Sequence, residues 1–363
     1  MDAHVMAMGM SSCLGPVVTA CAAFRAGIRL AGASLDADYF AADSNEAHPL
    51  DACAIPSSTF GFSGIGRLVA ILHETLVDLC CGMSAPALEP ETRVYLALPD
   101  PVDLELPVEP EVAGVPKKRT DALGRCVLAM TLQTLGLTHP KANWRFFSGG
   151  HTAFARALEA AMKELERRRQ GSCLVVAVDS LLDPVVREGL LMEGRLKTRD
   201  HPVGFTPGEA GVAVLLRPDP AISGASKGSG PKVILRRLAI ASATAATQWN
   251  GQALASCVEQ LLPFLEPASA APTLISDHTG EENRASEWGS LRVRMKAMRP
   301  AWDTPAAWFP AIGFGETGCA SGAIGLCVAA RAFERGYAPS RHCIVLSSSE
   351  GGERAALLME RQG

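Results

Sequence analysis

The chain has 363 residues, of which 48% are hydrophobic and 20% are charged, and its formal net charge is −4. A chain of this length has room for about two domains or one large duplicated domain, and its hydrophobic content excludes global disorder. The small negative charge offers no basic surface of the kind that binds DNA or RNA, so no nucleic-acid partner is expected.

In the first half, apolar runs predict strands and apolar residues at helical spacing predict helices. The segment 34–60 is rich in turn formers and predicts irregular structure, and five prolines make 99–116 a loop. The predicted strands are 4–15, 93–99, 173–180 and 204–218, the last after a loop, and the predicted helices are 15–28, 64–80, 122–136 and 152–166.

A segment rich in Pro, Gly and Ser, 218–231, is the predicted linker between residues 1–217 and 232–363. The second half repeats the alternation of the first. Its predicted strands are 232–242, 272–280 and the two strands of 342–360, and its predicted helices are 253–265 and the helix that follows a glycine-rich turn in 313–336.

Two segments, 148–180 and 318–349, share one order: a small-residue turn, a helix of small and apolar residues, a glycine, an apolar strand and a serine. One copy lies in each half, so the pattern predicts two similar α/β halves about a pseudo-twofold axis. Two ordinary α-β units that resemble each other by chance are the alternative.

The eleven cysteines include no CxxC pair, which favours free thiols in a reducing compartment and predicts neither a metal site nor a cofactor. The start of the chain lacks the basic region of a signal peptide. No run approaches the roughly 18 apolar residues of a membrane span. A cytoplasmic protein without a membrane span is therefore expected.

Four segments together resemble the β-ketoacyl synthases and the wider thiolase-like superfamily. They are "GEAGVAVLL" (208–216), "DHTGEENRASEW" (277–288), "GETGCASGAIGL" (315–326) and "SSSEGGERAAL" (347–357). Each match is weak alone, but their order and spacing are specific. The resemblance implies an α/β thiolase-like fold with two similar α-β-α layered halves, and a dimer.

In that family, a cysteine at a helix N-terminus accepts an acyl group from a carrier protein or coenzyme A, and two histidines promote decarboxylation of a malonyl unit. Here the position of the cysteine falls on Gly150, within "SGGHT". The first histidine is matched by His278, and the second aligns with Glu316. The gatekeeper phenylalanine falls near Glu350. Of the three catalytic residues of the family, one cysteine and two histidines, only the first histidine is matched by a residue of the same type, His278.

Other residues near Gly150 offer a replacement for the missing cysteine nucleophile. Ser148 as nucleophile with His278 as base would use the helix N-terminus to stabilise negative charge. The favoured interpretation is that Ser148 and Thr152 cap that helix. His151 is expected to fill the vacated pocket or bond to backbone rather than act as a base, and Cys319 is expected to be a buried apolar neighbour.

Two functions follow. The first is a non-condensing pseudoenzyme that works as a binding or assembly subunit. Its "GGHTAFARAL" and "CLVVAVDSLL" segments look like synthase-like proteins of type VI secretion clusters, where such proteins are thought to help load effectors, and a chain-length-factor-like subunit would lose the cysteine too. The second is an acyltransferase of altered mechanism that uses Ser148 or His151 with His278. The implied partners are a second subunit, an effector, an adaptor or an acyl carrier protein.

Overall fold

The computed structural model describes residues 2–40, 46–81, 88–101, 115–218, 232–266 and 270–362. Nearly all of the predicted linker 218–231 and most of the loop 99–116 lie outside these ranges. The strands are β1 (Ala3–Ser12), β2 (Gly32–Phe40), β3 (Ala47–Ala52), β4 (Arg93–Ala97), β5 (Trp144–Phe147), β6 (Cys173–Ser180), β7 (Glu209–Pro218), β8 (Lys232–Ser242), β9 (Thr273–Ser276), β10 (Ala307–Trp308), β11 (His342–Ser348) and β12 (Glu353–Gln362).

The helices alternate with these strands. They are α1 (Val17–Arg25), α2 (Pro56–Thr59), α3 (Gly64–Cys81), α4 (Pro116–Thr134), α5 (Ala153–Arg168), α6 (Pro184–Met192), α7 (Gln252–Glu259), α8 (Glu282–Met298), α9 (Ala311–Phe314) and α10 (Ser321–Glu334). In the described ranges, no helix is long and apolar enough to cross a bilayer.

The main sheet has ten strands in the order β10-β9-β11-β12-β8-β1-β7-β6-β4-β5. Outward from β1, the pairings are antiparallel, antiparallel, parallel and parallel, and outward from β8 the same series repeats. The halves join where β1 pairs with β8 over two residues. The fold is thus two similar α/β halves about a pseudo-twofold axis, as the repeat predicts.

Strands buried on both faces separate the layers. In β6, Val175 and Ala177 face the central cluster that also holds α5 and α10, whereas Leu174 and Val176 face the outer cluster under α3 and α4. A third cluster lies under α7 and α8 of the second half. A strand covered on both faces reads as a continuous apolar run, and each such side chain contributes about 1.5–3 kcal/mol on burial.

Several elements were not predicted from the sequence, and two regions show the reasons. Within the segment 34–60, predicted to be irregular, β2 and β3 pair as an antiparallel two-stranded sheet and α2 follows. The helix α8 was not predicted, because its buried face carries Arg284 and Glu287 as well as Leu291 and Met295. Charged residues on an inner face erase the apolar period by which a helix is recognised.

Candidate functional site

A tight turn joins β5 to α5 and aims one side chain into the interior. Gly149 and Gly150 have φ angles of 126° and 69°, in the left-handed region that favours glycine. A short 3-10 turn, Gly150–Thr152, then leads into α5. This geometry requires the glycine pair of "SGGHT", and it leaves His151 buried between the two halves.

His151 forms a buried ion pair with Glu316. The Nε2 atom of His151 lies 2.7 Å from Oε1 of Glu316, and the two residues are 7% and 3% exposed. The same carboxylate oxygen accepts a hydrogen bond from the amide of Gly318 at 2.8 Å and one from the hydroxyl of Ser321 at 3.2 Å. Glu316 is therefore fixed by the start of the second-half helix and cannot turn away from the histidine.

Arg284, on α8, also contacts the imidazole ring of His151. Its Nη2 atom lies 3.3 Å from Nδ1 of His151 and donates to Oε1 of Glu350 at 2.9 Å, and its Nη1 lies 3.5 Å from Oδ2 of Asp277. We call His151, Glu316, Arg284, Glu350 and Asp277 the charged cluster. The carboxylates of Glu316, Glu350 and Asp277 surround the guanidinium and the imidazole and offset their charge, as buried ions require.

A second arginine extends the charged cluster towards the surface. Arg195 donates to the carboxylate of Glu281 at 2.9 Å and to that of Glu350 at 2.9 Å. Glu281 also lies 3.3 Å from Nε of Arg284. Each arginine thus shares its carboxylates with the other, so the orientation of Arg284 depends on residues outside the buried core.

The ionisation of the charged cluster follows from burial opposed by opposite charges. Burial lowers the pKa of His151, and the Arg284 guanidinium lowers it further, but the charge and the hydrogen bond of Glu316, together with the charge of Asp277, leave the net pKa above its ordinary value. Burial raises the pKa of Glu316, whereas His151 and Arg284 bring it down to about 2. The ionised carboxylate of Glu316 therefore holds the Nε2 atom of His151, so this nitrogen is not free to act as a base.

Gly150 faces a different neighbour. A Cβ atom added there would lie 3.3 Å from Oγ of Ser349. That hydroxyl accepts a hydrogen bond from the amide of Thr152 at 2.9 Å and donates to the carbonyl of Gly149 at 2.7 Å. The expectation that Ser148 and Thr152 cap the helix start is corrected here: the cap is Ser349, which is 197 residues away in sequence.

The two remaining candidates, Ser148 and His278, do not meet. The hydroxyl of Ser148 hydrogen-bonds to that of Thr120 at 2.8 Å. The His278 ring packs edge to face on Phe309 with centroids 5.5 Å apart, and its Nδ1 accepts from the amide of Gly280 at 3.4 Å. Among the hydrogen bonds of the described chain, none joins His278 to His151 or Ser148, so the nucleophile–base pair of the acyltransferase hypothesis is not assembled.

Cys319 lies in the interior beside Asp179. Its amide donates to Oδ2 of Asp179 at 2.8 Å, and burial raises the pKa of the thiol well above its ordinary value. Burial also raises the pKa of Asp179 to about 6. Gly318 is required at this point, because a Cβ there would lie 2.1 Å from the aspartate oxygen. The thiol stays protonated and does not supply the missing nucleophile.

A cleft of about 460 Å³ opens beside the charged cluster. Exposed Arg29, Lys197 and Arg199 line it, as do Cys53 and Glu316. The second carboxylate oxygen of Glu316, Oε2, is buried and has no hydrogen-bond partner within the described residues. The cleft therefore combines cationic side chains with a buried acceptor. The described ranges contain no group of three or more His, Cys, Asp or Glu side chains placed to hold a metal ion.

Comparison of the sequence with protein-family models and with curated proteins gives no match. Solved structures match along the whole chain. The ishigamide ketosynthase/chain length factor superposes with a TM-score of 0.69 at 16% identity, covering 100% of both chains. A ketosynthase (ApeO) in complex with its chain length factor (ApeC) from Xenorhabdus doucetiae gives 0.69 at 14% identity, covering 99% of this chain and 98% of that one.

A further match is a type II PKS acyl-carrier protein in complex with its ketosynthase bound to the hexaketide, with a TM-score of 0.72, 12% identity and 99% of both chains covered. At these identities the likeness shows the fold alone. The chain therefore has the thiolase-like fold of ketosynthases and chain length factors, as the four sequence segments imply.

The sequence predicts Glu316 and His151 as site residues, but not Arg284, Asp277 or Ser349. Arg284 and Asp277 lie inside the segment 277–288 that carries part of the resemblance, but only His278 in this segment matches a catalytic residue of the family. The two residues are visible there as charged side chains, but no periodic pattern marks them as members of a buried site. The capping role of Ser349 is not predictable from the sequence, because a hydroxyl that caps a helix from the other half of the chain leaves no local pattern.

Proposed function

We propose that this protein is a non-condensing subunit of the ketosynthase type that works by binding, with the role of a chain length factor as its most specific form. The observation that carries the proposal is the buried His151–Glu316 pair, which is 2.7 Å long and whose carboxylate is fixed by the amide of Gly318. It occupies the position where a condensing enzyme would need a free nucleophile and neutral imidazoles.

The geometry of the charged cluster also indicates which residue occupies the position of the family's cysteine. The alignment by helix composition places that position on Gly150. The residue that contacts Glu316, which aligns with the second family histidine, is His151. Since a nucleophile and its histidine must lie within hydrogen-bond reach, we infer that His151 holds the position. Neither residue has a thiol, so the chemical consequence is the same.

The ionised carboxylate of Glu316 opposes condensation directly. A malonyl unit carries its own carboxylate, and a second anion at about 4 Å in a protein interior repels it by several kcal/mol. A carboxylate also cannot donate a hydrogen bond to a developing oxyanion. Replacement of a donor by an anion therefore removes the support that decarboxylation of a malonyl unit needs at this position.

The cleft supplies the binding surface. Arg29, Lys197 and Arg199 are exposed cations in its lining, which suits an acidic or phosphate-bearing partner such as an acyl carrier protein. Similar structures include a ketosynthase with its chain length factor and a ketosynthase with an acyl carrier protein. This proposal favours a ketosynthase as the partner, in a dimer with this protein. The competing function is effector loading in type VI secretion.

Acyl transfer is tested with radiolabelled acyl-coenzyme A and acyl carrier protein, with a condensing ketosynthase in parallel as positive control. No covalent label and no turnover are expected. Label that disappears in His151→Ala, Ser148→Ala or His278→Ala would refute the proposal and support the acyltransferase.

The partner is tested by purification from the protein's own cells, with Lys197→Glu/Arg199→Glu as the matched variant. Recovery of a ketosynthase or an acyl carrier protein that is reduced in the variant supports the proposal. Recovery of secretion effectors instead assigns the protein to effector loading. The gene neighbourhood gives an independent answer, because polyketide or fatty-acid genes and secretion genes point to different partners.

A further inference from the structure

Two cysteines meet at the wall of the cleft. Cys13 follows β1, and Cys53 follows β3 and lines the cleft. Their sulfur atoms lie 3.6 Å and 3.9 Å from the same carbonyl oxygen, that of Gly313. Each thiol also shifts the pKa of the other. Their sulfurs are therefore neighbours although 40 residues separate them in sequence.

The surrounding backbone holds this pair in place. The amide of Cys53 donates to the carbonyl of Pro207 at 2.9 Å. Gly315 lies directly against the thiol, since a Cβ atom there would be 3.2 Å from the sulfur of Cys53. Cys13 is partly exposed. Cys53 is thus fixed in the wall of the cleft, from which a small molecule can approach it, and Cys13 lies beside it.

The two thiols are not equivalent. The hydrogen bond donated by Cys13 lowers the pKa of Cys53, although burial opposes it, and raises the pKa of Cys13. Burial raises the pKa of Cys173 and Cys257 to about 12. Because the thiolate is the nucleophile, Cys53 is the more reactive member of the pair, and these other buried thiols are inert by comparison.

We propose that Cys53 and Cys13 are a redox-active dithiol, which a low-molecular-weight disulfide oxidises to an intramolecular disulfide at the wall of the cleft. The Cys53 thiolate attacks one sulfur of the small disulfide, forms a mixed disulfide and expels a thiolate. Cys13 then gives its proton to that thiolate and attacks the sulfur of Cys53. The bond to the small molecule breaks, and its second thiolate leaves. The protein loses two electrons, and the small disulfide is reduced to two thiols.

Oxidation would tie the end of β1 to the segment that follows β3, beside the backbone that positions Glu316. The amide of Glu316 donates to the carbonyl of Thr206, next to the residue that holds Cys53. The redox state would thereby set the shape of the cleft. This inference does not depend on what the cleft binds.

The test treats the folded full-length protein with oxidised glutathione, blocks free thiols with N-ethylmaleimide and maps the peptides by mass. A peptide pair linked through Cys13 and Cys53, lighter by two hydrogen atoms, is expected. Exposed Cys81 reports that the reagent is active. If Cys81 is modified while Cys13 and Cys53 are both recovered as thiols, the proposal is overturned, and this result needs no variant.

The variants test the order of steps. Cys13→Ser is expected to stop at a mixed disulfide on Cys53, and Cys53→Ser to leave Cys13 unmodified. Cys173→Ser is the matched control, because that buried thiol lies elsewhere, and it should form the linked pair as the wild type does. Alkylation of Cys53 is expected to be at least about tenfold faster than that of Cys173. Equal rates, or a mixed disulfide on Cys13 in Cys53→Ser, would contradict the assigned roles.

Discussion

The substitution Glu316→Gln removes one negative charge from the charged cluster and keeps the shape of the side chain. The carboxylate accepts hydrogen bonds from His151 at 2.7 Å and from the amide of Gly318 at 2.8 Å, and it is 3% exposed. Removal of one member of a buried ion pair costs about 3–5 kcal/mol. The glutamine oxygen can still accept from Gly318, so we expect a loss of about 3 kcal/mol in the free energy of unfolding near pH 6.

That loss depends on pH, because the charge on His151 does. Burial lowers the pKa of His151 and Glu316 raises it, with a net increase. A histidine with a raised folded-state pKa stabilises the fold fully below its unfolded pKa, and this contribution disappears as the pH rises through the folded-state pKa. The pKa of Glu316 is about 2, so its carboxylate stays ionised across this range. Asp179, whose pKa burial raises to about 6, titrates in both proteins.

In Glu316→Gln, the carboxylate that raises the pKa of His151 is gone. The cost of the substitution should therefore shrink as the pH rises from about 6 through the raised pKa of His151, by about 1.4 kcal/mol for each unit by which that pKa is raised. Urea unfolding followed by circular dichroism, at several pH values, measures this difference.

Glu209→Gln is the matched control. Glu209 is 0% exposed, and its cationic partner is Arg67 at 2.7 Å rather than a histidine. Its cost should be similar near pH 6 and should stay constant up to about pH 9. Parallel pH profiles for Glu316→Gln and the wild type would refute the imidazolium–carboxylate pair and return His151 to the list of available bases.

Two further substitutions test local geometry by the same unfolding measurement. Ser349→Ala removes the cap of α5 and should cost about 1–2 kcal/mol, whereas Ser148→Ala should cost less than about 1 kcal/mol; the reverse order would restore Ser148 as the cap. Gly9→Ala would place a Cβ 2.4 Å from the backbone nitrogen of Leu79 and should cost more than about 3 kcal/mol or prevent folding. Gly32→Ala, which meets nothing within 4 Å, is expected to stay within about 0.5 kcal/mol of the wild type, and equal costs for the two glycines would disprove the close approach of β1 to α3.

The sequence predicts those elements whose burial is complete or one-sided. The run 173–180 coincides with β6, because a strand covered on both faces is almost wholly apolar. The run 232–242 coincides with β8 although Arg237 is exposed within it, because apolar residues flank the charged pair. The helix 122–136 was predicted six residues too short at its start, since α4 begins at Pro116. That first turn is polar, and proline at the first helical position was assigned to the loop.

The candidate site was predictable only where a residue replaced one expected by resemblance. Glu316 stood out as a carboxylate at the position of a histidine. The partner that fixes its role, Arg284, belongs to a helix with charged residues on its inner face, so neither period nor composition marked it. Ser349 acts across the boundary between the halves. Contacts of this kind depend on the packing of the halves, which a single sequence does not encode locally.

The wall of the cleft is assembled from three stretches of chain that are far apart in sequence. The amide of Cys53 donates to Pro207 at 2.9 Å, and the amide of Gly208 donates to Glu316 at 2.8 Å. On the ribosome, the stretch around Cys53 emerges long before Glu316 has been added, and domains begin to fold from the N-terminus as they emerge. The nascent chain therefore carries Cys53 without its cover, and any ligand or partner of the cleft can bind only after translation has passed residue 316.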